Sequence, residues 1–171
     1  MIEVEVKARS RPDTPGRILA LGAAPAGTEV HQDIYYSSPS RDFRLTDEAL
    51  RLRIKEGSAF LTYKGPRLDQ RTKSREELTV EVDDPQSMER ILEALGFVRA
   101  GEVRKRRTKY VLEDLTFALD EVEGLGTFVE VEARAGPDWE EKRRRVLELL
   151  GCLGLDEPIR SSYLELLEST R

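Results

Sequence analysis

Charged side chains alternate with apolar ones in several segments of the sequence, and within a segment the charges are clustered by sign. The first segment carries Glu3 and Glu5 ahead of Lys7, and a later one carries Arg51 and Arg53. Carboxylate oxygens are preferred ligands of Mg²⁺ and Mn²⁺, and a guanidinium suits two-point contacts to phosphate. Residues of these types, if brought together, could bind a polyanion together with divalent cations.

The alternation predicts a chain dominated by β-strands, because successive strand residues point to opposite faces. Strict alternation covers residues 2–7, 49–55, 60–64, 75–82, 103–111, 115–120 and 127–132, and a weaker pattern covers 31–36. Each strand has one apolar and one polar face, except that arginines on the second face of 103–111 predict a largely solvated outer face there.

Two architectures fit these faces. An open antiparallel sheet would keep its charged face in water. A closed barrel would pack the apolar faces under helices and turn the charged faces into a shared lumen. The clustering by sign favours closure, and so does the number of strands, since closure removes exposed strand edges. An anion with divalent cations would then offset the cost of the enclosed charges. We therefore predict an α+β fold: a closed antiparallel eight-stranded barrel with helices outside.

Helix signals are fewer and separate the strands. The predicted helices run from an N-cap at Thr14 with Pro15 in the first turn to Gly22, from an N-cap at Asp84 with Pro85 to Gly96, from a capping box at Asp138 to Gly151, and over residues 163–168. Residues 67–74 are predicted as a polar hairpin loop. The spacing from Glu3 to Gly22 equals that from Glu77 to Gly96, and a tyrosine-bearing strand and a hairpin follow each time. This repeat predicts two βαβββ halves in a single domain spanning residues 1–171.

Composition narrows the function classes. Apolar residues make up 39% and charged residues 36% of the 171, and the formal net charge is −5, which argues against a nucleic-acid binder. Cys152 is the only cysteine, which excludes a disulfide framework and a cysteine-rich zinc site. The start of the sequence does not have the form of a signal peptide, and no run is long enough to span a membrane. We expect a soluble cytoplasmic protein with no membrane partner.

A series of motifs in fixed order resembles the CYTH family. The series comprises Glu3-x-Glu5-x-Lys7, His31-Gln32-Asp33-Ile34-Tyr35-Tyr36, Leu50-Arg51-Leu52-Arg53, Thr62-Tyr63-Lys64-Gly65, Ser74-Arg75-Glu76-Glu77, Lys105-Arg106-Arg107, and Asp120 with Gly124-Leu125-Gly126 and Phe128-Val129-Glu130-Val131-Glu132. The resemblance runs from Glu3 to about Tyr163. That family includes class IV adenylyl cyclases, thiamine triphosphatases and inorganic tripolyphosphatases, which fold as a triphosphate tunnel.

The resemblance implies a role for each matching residue. Metal ligands would be Glu3, Glu5, Asp120, Glu130 and Glu132, with Mg²⁺ or Mn²⁺ as the ion. Phosphate-binding residues would be Lys7, Arg51, Arg53, Lys64, Arg75, Lys105 and Arg107. The residues assigned to catalysis are Glu3, Glu5, Lys7 and Glu130, and the supporting residues are Glu77 and Lys109. In a lumen we also expect that Arg53→Ala would weaken triphosphate binding without loss of stability, because one like charge would leave a crowded wall.

Several functions remain open from the sequence. Hydrolysis of a small-molecule triphosphate is favoured over cyclisation of ATP to cyclic AMP, because no base-recognition signature is visible. The family's cyclase branch often carries a His-Phe pair a few residues before the first motif, and Glu3 lies too near the start for one. A non-catalytic nucleotide- or polyphosphate-binding module would need the same residues, whereas nothing marks a groove for an RNA 5′-triphosphate. The lone His31 is interpreted as structural. A homodimer is left open.

Overall fold

The computed structural model describes residues 1–171 and contains eight strands and five helices. In chain order they are β1 (Ile2–Arg9), α1 (Thr14–Ala20), β2 (Ala24–Ser37), α2 (Phe43–Thr46), β3 (Ala49–Lys55), β4 (Ser58–Lys64), β5 (Arg75–Val82), α3 (Pro85–Ala94), β6 (Val98–Leu112), β7 (Leu115–Val122), β8 (Gly126–Ala135), α4 (Trp139–Cys152) and α5 (Tyr163–Ser169). None of these helices is both long and apolar enough to cross a membrane.

The strands form one closed antiparallel barrel, which confirms the predicted fold class. Its order is β1-β5-β4-β3-β2-β6-β7-β8, with β8 pairing back to β1. Exchanging β1–β4 for β5–β8 leaves this circular order unchanged, as expected for two βαβββ halves. The β1–β5 seam is short, because only Ile2↔Glu76 and Glu3↔Arg75 pair there. Beyond these pairs, the backbone N–H of Lys73 donates to the Glu5 carbonyl and that of Ile159 to the Lys7 carbonyl, so the edge of β1 stays hydrogen-bonded.

Most apolar strand faces lie outside, under helices, as predicted, but that of β5 does not, since Leu78 and Val80 are 54% and 58% exposed. Helix α4 covers β1 and β8 in the largest core cluster, where Val6 and Val131 are almost fully buried. Leu92 of α3 packs with Leu52 in a second cluster over the β2–β4 wall. The charged faces are also largely buried, since Lys7 is 0% exposed and Glu130 is 4% exposed. An open sheet would have left these residues in water, so the lumen interpretation holds.

Helix α5 departs from the prediction that all helices lie outside the barrel. Its Tyr163 packs with Val103, Val122 and Phe128, which share strand faces with lumen residues two positions away. These inward positions are apolar at one end of the barrel, so α5 packs across that end instead of on the outer wall. The exposed Arg104 and Arg106 on β6 agree with the predicted solvated outer face of that strand.

Several predicted boundaries need correction. Asp13, and not Thr14, is the N-cap residue of α1, whose first residue is Thr14. The Thr14 hydroxyl accepts from the Arg11 N–H at 2.8 Å instead of capping the helix. Asp138 accepts from the Gly136 N–H and makes no cap bond, so the predicted capping box is wrong there. The capping box that forms joins Ser162 and Glu165 at the start of α5.

Other differences concern length. Strands β2 and β6 are longer than predicted, because their solvated ends pair with each other past the point where alternation fades. The four-residue α2 was not predicted, since one helical turn is too short for a periodic pattern. The cap of α3 by Asp84, whose side chain accepts from Gln86 and Ser87 N–H groups, is confirmed.

Substitution of two adjacent residues of α1, one buried and one exposed, tests whether this helix packs against the barrel. Ile18 is fully buried in the largest core cluster, whereas Leu19 is 48% exposed. We expect Ile18→Ala to lower the free energy of unfolding by about 2–5 kcal/mol, through lost burial and a cavity. The matched control Leu19→Ala should change it by no more than about 0.5 kcal/mol. Urea denaturation measures both, and equal losses would contradict this packing.

Candidate triphosphate and metal site

A cavity of about 1110 Å³ includes the lumen of the barrel and extends to the β2–β3 connection and helix α5. The predicted site residues that line it are Glu3, Glu5, Arg51, Arg53, Lys64, Arg75, Glu77, Lys105, Arg107, Lys109, Glu130 and Glu132. Asp120 and Lys7 are buried in the walls behind these residues. The barrel thus brings together, in one space, charges contributed by strands far apart in the sequence.

One group of carboxylates has the chemistry of a divalent-cation site. Strand register places Glu5 directly opposite Glu132, and oxygens of Glu3, Glu5 and Glu132 lie within 4.8 Å of one another. Like charges at opposed positions destabilise a sheet unless something neutralises them. The pKa of Glu132 is raised to about 7. Burial and the nearby Glu3 and Glu130 carboxylates disfavour its charged form by more than Arg107 favours it. These three carboxylates, here called the acidic group, are suited to bind Mg²⁺ or Mn²⁺.

The other two predicted metal ligands make different contacts. Register sets Arg107 opposite Asp120, and the guanidinium donates to both Asp120 oxygens at 2.7 and 2.6 Å and to Glu130 at 2.7 Å. Burial opposes ionisation of Glu130, but Arg107 and Lys105 nevertheless lower its pKa well below the usual value. Asp120 and Glu130 are therefore ionised and hold Arg107 in place. Metal binding by Asp120 and Glu130 stays a prediction.

Arg53 is fixed by a carboxylate that the sequence analysis did not include in the site. Its Nε and Nη2 donate to the two Asp33 oxygens at 2.7 and 2.8 Å, across the β2–β3 pair. Asp33 is 1% exposed. Burial opposes its ionisation, but Arg53 holds the pKa of Asp33 far below its usual range. The signal was available, because Asp33 shares the lumen face of its strand with His31 and Tyr35.

Two lumen arginines, by contrast, form no ion pair with any carboxylate. Arg51 and Arg75 each have a buried Nε–H without a hydrogen-bond acceptor. Burial and the neighbouring Arg67 also lower the pKa of Arg75, and the nearby carboxylate of Glu5 offsets this only in part. Buried donors of this kind are costly unless an acceptor is supplied. An anion in the cavity would supply it.

Lys7 points toward the C-terminal segment of the chain. Its ammonium donates to the Ser161 carbonyl at 2.5 Å and lies 4.2 Å from the ring centroid of Tyr163. The same ring lies 5.0 Å from the Lys105 ammonium, and the Tyr163 hydroxyl donates to Asp120 at 2.8 Å. Burial and Arg107 lower the pKa of Lys105 to about 8. The sequence analysis missed Tyr163, because a helix remote in sequence carries it.

The remaining predicted residues form networks along the walls. Lys64 donates to Glu3 at 2.8 Å and lies 3.6 Å from Glu77. Lys109 donates to Glu29 at 2.8 Å, and Glu29 also contacts the imidazole of His31 at 2.7 Å. Burial and the nearby Arg53 lower the pKa of His31 to about 3, so the ring is neutral at pH 7. This supports the structural interpretation of His31.

Lys73 is a further cavity residue that the sequence analysis missed. It was assigned to the polar hairpin loop, yet its side chain is buried, lines the cavity and lies 3.4 Å from Glu5. Burial and the nearby Lys73 ammonium lower the pKa of Lys7 well below its usual value. Alternation could have indicated this residue, because Lys73 shares the parity of Arg75 and Glu77.

Comparison with known proteins gives consistent matches. The family profile of the CYTH domain matches residues 1–163. "Putative adenylate cyclase MJ0240" of Methanocaldococcus jannaschii is 40% identical over 173 residues, covering 97% of this chain and 98% of that protein. The structure of the PH1819 protein of Pyrococcus horikoshii OT3 matches with a TM-score of 0.93 at 40% identity, covering 99% of each chain. The PH1012 protein of the same organism matches with a TM-score of 0.85 at 35% identity, covering 96% and 99% of the two chains.

The acidic group predicts a pH-dependent affinity for metal. Because the pKa of Glu132 is raised from 4.5 to about 7, the metal-free folded state binds this proton more tightly than the unfolded state does. Its stability should fall as pH rises between these values. Mn²⁺ must displace the proton, so its affinity should rise between about pH 6 and pH 8. Calorimetry should show a weaker and flatter dependence for Glu132→Gln and no change for the exposed control Glu121→Gln. A pH-independent Mn²⁺ affinity in the parent would contradict the assignment.

The two arginines of β3 should differ in their effect on stability. Arg53→Ala leaves Asp33 buried and unpaired, so we expect it to lower the free energy of unfolding by about 3–5 kcal/mol. This revises the expectation from the sequence, which did not include the bond to Asp33. The half-buried Arg51 donates to no carboxylate, so Arg51→Ala leaves none without its hydrogen-bond partner and should change stability by less than about 1 kcal/mol. Equal losses in urea denaturation would show that Asp33 is not held by Arg53.

Proposed function

The chain is a member of the CYTH family, and we propose that it is a metal-dependent enzyme that binds a small-molecule triphosphate in the barrel lumen and hydrolyses it. The observation that carries this proposal is the pair of buried Nε–H donors without acceptors, on Arg51 and Arg75, beside the acidic group. The donors can be satisfied by an anion and the carboxylates by a cation. A triphosphate with Mg²⁺ or Mn²⁺ satisfies both demands at once.

The contacts suggest which lumen cations would bind phosphate oxygens directly and which would add positive charge around them. Arg51 and Arg75 have free donors for phosphate oxygens, and Arg53, anchored by Asp33, keeps its Nη1 free of protein acceptors. Lys64, Lys105 and Arg107 would add positive charge along the walls. Phosphoryl transfer depends mainly on positioning and on stabilising developing charge, which such a preorganised cationic wall supplies.

The acidic side of the lumen would hold the metal ion. Glu3, Glu5 and Glu132 would be its ligands, with the predicted roles of Asp120 and Glu130 as further ligands still to be tested. When bound, the ion would neutralise phosphate charge and increase the acidity of a water or hydroxyl nucleophile. Of the residues assigned to catalysis, Glu130 holds Arg107, and Lys7 reaches the site only from behind the cavity wall.

Cyclisation of ATP to cyclic AMP and pyrophosphate is the alternative reaction, and the name of the M. jannaschii relative favours it. Hydrolysis requires only water and a positioned triphosphate. Cyclisation also requires the ribose 3′-hydroxyl to be aligned with the α-phosphate, and none of the contacts described above is specific to a base or ribose. A non-catalytic polyphosphate-binding module would use the same cations, but it would have less need of the clustered carboxylates. A cytoplasmic location and a homodimer stay predictions.

A substrate panel tests this proposal. ATP, GTP, thiamine triphosphate and tripolyphosphate are each incubated with Mg²⁺ or Mn²⁺, and phosphate, pyrophosphate and cyclic nucleotide are measured. We expect release of phosphate that stops in excess chelator. Arg51→Ala should lower kcat/KM by about ten- to a hundredfold, through one lost charge-assisted bond. Arg106→Ala, on the exposed face of β6, is the matched control and should retain activity.

The products decide between the candidates. Cyclic AMP with pyrophosphate as the main products would replace hydrolysis by cyclisation. Tight binding of tripolyphosphate without turnover of any substrate would favour the binding module. Undiminished turnover in chelator would contradict the metal-dependent mechanism.

A further inference from the structure

Lys73 continues the short pairing between β1 and β5. Its backbone N–H donates to the Glu5 carbonyl at 2.8 Å, in the same register that sets Glu3 opposite Arg75. Alternate residues of a strand share one face, so Lys73 and Arg75 both face the lumen. The Lys73 side chain is buried and lines the cavity. A residue of the β4–β5 loop, residues 65–74, thus extends the cationic wall.

The loop that carries Lys73 is fastened at several points. The Asp69 carboxylate accepts from the backbone N–H groups of Arg71 and Thr72 at 2.6 and 3.0 Å. The hydroxyls of Thr72 and Ser74 lie 2.6 Å apart, and both residues are buried. Arg160 donates to the Asp69 carbonyl at 3.1 Å and joins the loop to the C-terminal segment. These bonds hold the backbone of the loop, and so the point from which the Lys73 side chain enters the lumen.

Glu5 is the one carboxylate that forms an ion pair with Lys73, and the pair is loose. The ammonium lies 3.4 Å from the Glu5 oxygen, beyond the 2.7–2.9 Å of a strong charge-assisted bond. Glu5 also belongs to the acidic group. A divalent cation there would engage the Glu5 oxygens and repel the ammonium. Next to Lys73 on the same face, Arg75 has no ion pair, so an anion bound there would meet both residues.

We propose that Lys73 is a further substrate-binding residue that exchanges partners, pairing with Glu5 in the metal-free protein and with a phosphate oxygen when a divalent cation occupies the acidic group. This inference rests on the proposed function, since it assigns Lys73 to the same triphosphate. It explains why a lysine lies between a metal-binding carboxylate and an unpaired arginine. The rotatable, pointlike ammonium can shift from one oxygen to another with little rearrangement.

Partner exchange predicts effects of opposite sign on the two ligands. Lys73→Met keeps much of the side-chain volume but removes the charge. It should raise the affinity for Mn²⁺ alone severalfold, because a competing cation leaves Glu5. It should lower the affinity for tripolyphosphate at saturating Mg²⁺ by about ten- to a hundredfold, because a charge-assisted bond is lost. A lysine that only neutralised Glu5 would change metal affinity alone.

Calorimetry on four proteins tests this inference: the parent, Lys73→Met, Lys73→Arg and Arg71→Met. Each is titrated with Mn²⁺ alone and with tripolyphosphate at saturating Mg²⁺, and its melting temperature is recorded. Arg71 is exposed on the same loop, so Arg71→Met controls for general charge and should match the parent. Lys73→Arg keeps the charge and should recover part of the tripolyphosphate affinity. It also provides a folded comparison if Lys73→Met is unstable.

The outcomes separate this inference from the proposed function. If the parent binds tripolyphosphate and Lys73→Met binds it within twofold, Lys73 is not a substrate-binding residue, while the proposed function stands. If Lys73→Met loses tripolyphosphate affinity but binds Mn²⁺ like the parent, the exchange of partners is wrong. A parent protein that binds no tripolyphosphate overturns both.

Discussion

Charges enclosed in a closed barrel must be neutralised within it, and this constraint organises the whole molecule. Water cannot solvate a buried guanidinium or carboxylate fully, so each one needs a partner of opposite charge or a ligand. Strand register supplies many partners directly, as where Arg107 faces Asp120 and Arg53 faces Asp33. The positions that register leaves without partners define the site. The lumen can bind ligands because some of its charged side chains have no partner of opposite charge within the protein.

The two kinds of lumen charge therefore have different functions. Paired residues such as Arg53 are held in one orientation, because a buried carboxylate accepts from two guanidinium nitrogens. Loss of one partner would leave the other charge buried and unpaired, which would lower stability. Arg51 and Arg75 have no direct carboxylate partner and keep donors free for an anion. Against the effect of burial, nearby carboxylates such as Asp33 raise the pKa of Arg51, whereas burial and Arg67 lower that of Arg75, so the electrostatic cost that an anion would relieve lies at Arg75. The acidic group, with Glu132 partly protonated near neutral pH, stores the complementary demand for a cation. Preorganisation of this kind lowers the reorganisation required when ligand binds.

Much of the fold followed from sequence alone, for a definite physical reason. A period of two assigns every strand residue to a face, so the lumen residues could be named before the strands were placed. Alternation does not encode which inward residue meets which across the barrel, so the Asp33–Arg53 bond was not foreseen. Lys73 was missed because it was assigned to the loop, although its parity matches that of Arg75, and Tyr163 because a distant helix brings it to Asp120. The single turn of α2 carries no periodic signal at all.

The hydrogen bond from Lys7 to Ser161 joins residues 154 positions apart, and Ile159 pairs with the same strand through its backbone. During synthesis the first strand leaves the ribosome long before the segment that meets it. Contacts of such long range form slowly, and nascent chains with exposed strand edges are prone to aggregate. The glutamates, lysines and arginines that will face the lumen remain hydrated throughout this interval. We therefore expect the charges that must be neutralised in the finished barrel to oppose aggregation of the unfinished chain.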